Sequence, residues 1–133
     1  MQNSILCAID FLASSRETLQ WAIANAGQTN SSLIILHAYR LNRPENGESV
    51  LDMRKKIEEN AHLNFEELEK DLLMGRNIPY EFKTEVGFLA ARVQEYSRNH
   101  PIQFLVISKA MTNHKESFDD LVENMQVPVV IIP

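Results

Sequence analysis

Few side chains of this 133-residue chain combine a reactive type with a setting that would use it. Asp10 stands near the end of the β-rich run Ile5–Phe11 (ILCAIDF). A carboxylate there either contacts a ligand or accepts hydrogen bonds from the backbone N–H groups of the loop that follows. His37 comes late in the apolar run Ser32–Tyr39 and has the side chain suited to acid–base or metal chemistry near neutral pH. A buried imidazole with a satisfied hydrogen bond is the commoner reading. Lys109, His114, Lys115 and Ser117 share one polar connection and could hold an anion by direct charge. A solvated loop is the commoner reading. Cys7, with Ile5 and Ile9 on its own side of the run, reads as a small buried hydrophobe, because a reactive thiolate needs exposure and nearby positive charge. Ser14 and Ser15 have no matching histidine and acid, so no hydrolase triad is expected. His62 and His100 read as surface residues, and no two histidines share the spacing of a metal site. The expectation is no catalytic residue and no metal.

The elements that would position these groups alternate in kind. Ser14 with Glu17 has the form of a capping box, and Leu19, Ala22, Ile23 and Ala26 follow a helical period that Gly27 would end. SLIILHAY (32–39) is continuously apolar, as in a strand covered on both faces. Ser49 with Asp52 signals a second helix whose stripe is Val50, Met53, Ile57, Ala61, Phe65, Leu68 and Leu72, running to Gly75. Ile78, Tyr80, Phe82, Thr84 and Val86 then alternate with Pro79, Glu81, Lys83 and Glu85, the pattern of a strand with one wet face. Gly87 leads into a helix with Leu89, Ala90, Val93, Tyr96 and Ser97 inward, stopped at His100 and Pro101. FLVIS (104–108) is another buried strand. Lys109–Ser117 is a polar connection, Phe118, Leu121, Val122 and Met125 mark a short helix, and Val127–Ile132 is the last strand.

This β–α alternation predicts a single α/β domain over residues 1–133, built on an open parallel five-stranded sheet with helices on both faces. Right-handed crossovers leave two common strand orders, 3-2-1-4-5 and 2-1-3-4-5. Strand 2 is the apolar one and strand 3 carries alternating charge, so 3-2-1-4-5 is predicted. The reversal of order then falls between strands 1 and 4, at Asp10–Ser14 and Ser108–Ser117, where ligands of open α/β sheets bind. Composition removes other classes. A net charge of −5 argues against a nucleic-acid binder, one cysteine fits a reducing compartment, and no signal peptide or membrane span is read. A phosphoacceptor receiver is disfavoured because Phe11 follows Asp10, Gly87 and Phe88 follow strand 3, and no lysine ends the last strand.

The run ILCAIDF, the helix ETLQWAIANA, the strand LIILHAY, the block TEVGFLAARVQEYSRNHPIQFLVIS and the closing VPVVIIP, in this order and spacing, resemble the universal stress protein family over essentially the whole chain. The resemblance implies a Rossmann-like fold of the adenine nucleotide α-hydrolase type, order 3-2-1-4-5, dimerisation through the last strand, and a cytoplasmic role in stress response. In one branch it also implies ATP at the switch point. That branch has a glycine after strand 4, a second three residues on, and a Gly followed by Ser or Thr at the last helix, so that backbone N–H groups approach phosphates. Residues 109–117 contain no glycine. By resemblance, Asp10 matches the nucleotide-site acid that holds a ribose or adenine polar group, and Ala38 and Tyr39 lie where strand 2 lines the adenine pocket.

The candidate pocket is therefore Asp10, Ala38, Tyr39, Ser108, Lys109, His114, Lys115 and Ser117. The expected function is a non-enzymatic, cytoplasmic regulatory or binding domain with no cofactor and an unassigned regulatory partner. The alternative is a slowly hydrolysing ATP switch using Lys109, His114 and Lys115 in place of the glycines. Val129, Val130, Ile131 and Ile132 form an apolar edge without charge, which predicts a homodimer through the last strand.

Overall fold

Five parallel strands form one sheet ordered β3-β2-β1-β4-β5 in a computed structural model, which describes residues 3–44, 47–113, 119, 123 and 126–133. β1 (Ser4–Ala8) is central, paired with β2 (Ser32–Tyr39) and β4 (Ile102–Ser108). Its Ile5, Leu6, Cys7 and Ala8 are all 0% exposed. A strand so apolar on both faces needs cover on both, and the helices provide it. α1 (Ala13–Thr29) and α2 (Val50–Leu68) pack over Ile5, Cys7, Leu33 and Ile35, whereas α3 (Leu89–Asn99) packs over Leu6, Ala8, Ile34 and Leu36.

β3 (Tyr80–Val86) and β5 (Val129–Ile132) are the two edges. In β3 the inward Phe82 stacks on Phe65 of α2 at 4.3 Å, while Glu81 and Lys83 are exposed, so the predicted wet face is present at the predicted edge. In β5 the Pro128 carbonyl accepts from Leu105 N–H at 2.9 Å. Backbone groups alternate in direction along a strand, so those of Val130 also point at β4 and those of Val129 and Ile131 point away.

Several local expectations are corrected. Ser14 is not the cap of α1: the N-cap is Leu12, which makes no side-chain cap bond, and Ser14 Oγ is buried with no partner among the described residues. Asp10 instead forms a turn just ahead of the helix, because an Asp side chain readily accepts from the N–H two residues on, here that of the N-cap Leu12. Nor does Gly27 end α1. The helix runs on to Thr29, and Asn30 takes the left-handed C-cap position at φ 54°, its N–H donating to the Ala26 carbonyl. Asparagine tolerates that conformation, and nothing at Gly27 forced an earlier stop. The Ser49 cap is as expected, its Oγ accepting from Asp52 N–H at 3.0 Å.

Beyond Leu68 the helical stripe slips by one residue. Glu69–Leu73 is a π-helical turn in which Met74 N–H donates to the Glu69 carbonyl, so Leu73 is buried at 1% exposure and Leu72 only partly. β1 stops at Ala8, short of Phe11, and β5 starts at Val129. The 109–117 connection opens with a 3₁₀ turn, Lys109–Asn113. The short helix expected from Phe118, Leu121, Val122 and Met125 lies outside the described residues.

Gly27 supplies a test of the helix boundary. A Cβ there would meet only Ile78 Cδ1, at 3.8 Å, an ordinary contact. Gly27→Ala is expected to raise stability by about 0.5–1 kcal/mol, because alanine loses less backbone freedom in a helix interior than glycine. Urea unfolding measures it, and a loss of stability would contradict a helical residue 27.

Candidate functional site

The carboxyl ends of β1, β2 and β4 meet at the reversal of strand order. β1 and β2 run in step, with Ala8 level with Leu36, so Asp10 and Ala38 each lie two residues further along. Asp10 Oδ1 accepts from Leu12 N–H at 3.0 Å and from Ser15 Oγ at 2.9 Å, and Asp10 N–H donates back to Ser15 Oγ at 3.2 Å. The carboxylate is thus committed to the turn and to the start of α1. Between these partners Phe11 adopts φ 63°, a left-handed conformation that costs a bulky residue roughly 1–3 kcal/mol. Its ring is anchored edge-on to His37 at 5.0 Å and to Phe82 at 5.9 Å.

His37 is half-buried, hydrogen-bonded through Nδ1 to Thr84 Oγ1 at 3.0 Å and stacked on Tyr39 at 5.8 Å. Burial lowers its pKa below the ordinary value and the Asp10 charge opposes that shift. Tyr39 is buried and its hydroxyl donates to Glu58 of α2, which also takes Arg54 Nε at 2.9 Å. Burial and the Glu58 carboxylate push the Tyr39 phenol up to about 12, while the Tyr39 and Arg54 bonds hold Glu58 below the usual carboxylate range. Tyr39 therefore packs among its own neighbours instead of offering its hydroxyl to a pocket.

At the end of β4, Ser108 is 2% exposed and its Oγ accepts from Met111 N–H at 3.3 Å. The Lys109 carbonyl accepts from Thr112 Oγ1 at 2.6 Å. Met111 packs against the Leu6, Ala8, Leu36 and Ile107 cluster, so a side chain of the β4 connection covers the sheet on the α3 face. Lys109 is exposed. His114, Lys115 and Ser117 lie outside the described residues, so the anion cluster expected around Lys109 is described only at Lys109.

Of the predicted pocket, Asp10 and Tyr39 both neighbour the Phe11–His37 pair, Ala38 is the penultimate residue of β2, and Ser108 ends β4. Sequence reasoning missed Phe11 and Ser15 as parts of the site, Met111 as a cover, and the Tyr39–Glu58–Arg54 group. The acceptor role of Asp10 toward its own loop was legible in its position before a helix. Nothing in residue type announces an aromatic in a left-handed turn.

The chemistry available is limited. Cys7 is fully buried and its thiol is pushed up to about 12 by burial, which makes it inert as a nucleophile. Among the described residues no group of three or more His, Cys, Asp or Glu is arranged to hold a metal ion, and no helix is long and apolar enough to cross a membrane.

A doubly wound parallel sheet with its reversal beside Asp10 and Ser108 defines a Rossmann-like α/β domain. Within that class, the sequence profile described as "Universal stress protein family" matches residues 1–133, and the chain belongs to this family. No curated protein sequence matches it. Among solved structures it is similar to a universal stress family protein from Burkholderia pseudomallei, at 15% identity and TM-score 0.79, over 98% of this chain and 96% of that one. It is also similar to a universal stress protein in complex with cAMP, at 14% identity and TM-score 0.72, over 98% and 96% of the two chains. A third is a universal stress protein from Archaeoglobus fulgidus in complex with dAMP, at 11% identity and TM-score 0.68, over 100% and 98%.

Asp10→Ala is expected to lower the stability of the ligand-free protein by about 1 kcal/mol, the usual net loss when a turn hydrogen-bond acceptor is removed. Urea denaturation checks this; unchanged stability would remove the turn-holding role.

Proposed function

We propose that this chain is a non-enzymatic regulatory or ligand-binding domain of the stress response, cytoplasmic, that does not hold ATP tightly. The observation that carries this reading is the closure of the β4 connection on itself. Ser108 Oγ already accepts the Met111 N–H, and every residue from Lys109 to Ser117 carries a Cβ where a phosphate cradle needs close backbone approach. Losing two or three charge-assisted hydrogen bonds, at about 1.5–3 kcal/mol each, moves a micromolar site towards millimolar. cAMP and dAMP, found in complex with similar proteins, each carry a single phosphate, and binding of such nucleotides is a comparison to be tested on this chain.

The competing reading is a slowly hydrolysing ATP switch in which Lys109, His114 and Lys115 replace the glycines. Calorimetric titration with ATP, ADP, AMP and cAMP, with mass analysis of any co-purified nucleotide, separates the two. ATP is expected to bind more weakly than micromolar. Micromolar ATP binding overturns the proposal, and turnover lost in Lys109→Ala establishes the switch.

We propose further that two copies pair through β5. The charge-free residues Val129, Val130, Ile131 and Ile132 form an edge, and Ile131 is 42% exposed. Antiparallel pairing of two such edges would use the outward backbone groups of Val129 and Ile131. Four residues are short for the ~1,200 Å² of a stable contact, so neighbouring side chains must add area. Because proline lacks the N–H, Ile131→Pro is expected to stay folded and become monomeric, whereas Val130→Pro breaks the ladder to β4 and destabilises the fold. Sedimentation equilibrium reads the outcome. A wild-type monomer at high micromolar concentration would sink the dimer.

A further inference from the structure

The β1–α1 turn combines three features that bear on a switch. Phe11 is held left-handed at φ 63°, Asp10 is the acceptor at the start of a helix whose N-cap residue makes no side-chain bond, and a titratable ring, His37, forms one wall against Phe11. We propose that the Asp10–Ser15 turn is a proton-operated latch, with His37 as the proton site and Phe11 as the part that moves. Its use as an acid signal rests on the regulatory reading above; the latch itself does not.

The groups around the imidazole decide what a proton would do. From the β1–α1 turn come Asp10 and Phe11; from its own strand, Tyr39; from β3, Thr84 at 3.0 Å. From α2 come the Arg54–Glu58 pair joined to the Tyr39 hydroxyl, and His62, edge-on to Phe82 at 5.2 Å. Glu58 is neutralised by the Arg54 cation, whereas the two bonds to Asp10 come from neutral donors, so Asp10 is the carboxylate in the set whose charge has no cationic partner and can answer an imidazolium. A neutral imidazole suits this aromatic, half-buried place. A charged one does not, and it attracts Asp10.

Movement of Asp10 towards His37 withdraws Oδ1 from Leu12 N–H and Ser15 Oγ. The turn ahead of α1 then loses the bonds that tie it to Asp10, while the first helical bond, Ser15 N–H to the Leu12 carbonyl, remains, and the Phe82 contact is what is left to offset the strained Phe11 backbone. The latch is closed while His37 is neutral and opens as the pH falls. The sign follows from the depressed folded pKa: the contribution is complete above the ordinary histidine value of 6.5 and is lost as pH falls through the lower value of the folded state.

NMR titration from about pH 7.5 to about pH 5 tests the latch, because histidine is the side chain that ordinarily titrates in that window. The His37 ring and the Leu12 and Ser15 amides are expected to shift with one shared midpoint below 6.5. His37→Gln, which retains a hydrogen-bonding group for Thr84, should abolish the step in both amides. Phe11→Gly accepts the positive φ without strain and removes the ring; it should leave His37 titrating and flatten the amide response. Amides that stay flat while His37 titrates, a His37 that remains neutral to about pH 5, or an amide step that persists in His37→Gln each overturns the proposal. These readouts need no ligand, so weak or tight ATP binding leaves them unaffected.

Discussion

Burial of β1 on both faces is the constraint from which the remaining architecture follows. Ser4 is 6% exposed and the four residues after it are fully covered, so neither face of the sheet's centre meets water. Covering both faces of a parallel strand requires crossovers on both sides, and the right-handed rule then fixes where each helix goes. α1 and α2 take one face and α3 the other. The reversal of strand order beside β1 follows, and with it the crevice at the carboxyl ends. Asp10 is the first charged residue after a strand that carries none, and lies at its carboxyl end.

How much of this was legible in the sequence depended on how local the cause was. β2 was readable end to end, since eight residues without a charge leave little choice of partner faces. The Ser49 cap was readable because cap and recipient lie three residues apart. The strand order came from a contrast between two strands, the apolar 32–39 and the alternating 80–86, and needed no contact information. Gly27 and Ser14 misled because residue types permit a cap without compelling it. Asn30 took the C-cap and Leu12 the N-cap through geometry that type alone does not rank. The π turn at Glu69–Leu73 was invisible: the spacing from Leu68 fits Leu72 on an ordinary helix, and the preference for Leu73 is set by packing against the sheet.

The site shows the same division. Asp10 and Ser108 were placed by topology, which sequence periodicity conveys, and Ala38 by family resemblance. The partners that determine their chemistry were not, because Tyr39 meets Glu58 across 19 residues and His37 meets Thr84 across 47. Those pairings change the meaning of the residues. A tyrosine at the end of β2 suggests a pocket wall until its hydroxyl is seen bonded to an α2 carboxylate.

The crevice that the fold creates is largely satisfied from within. Asp10 serves its own turn, Ser108 caps the residues that follow it, and Met111 lies against the sheet. A ligand that claims the Asp10 oxygen must first replace two hydrogen bonds to a charged group, each worth about 1.5–3 kcal/mol. At 1.4 kcal/mol per factor of ten, roughly 3–6 kcal/mol of competition weakens any small ligand by two to four decades relative to an open site. The same bonds give the turn a well-defined resting state, with Phe11 strained inside it. A site of this kind responds sharply to what alters its own charge or packing and weakly to what merely fits its outline, so its internal hydrogen bonds, more than its shape, govern what it can sense.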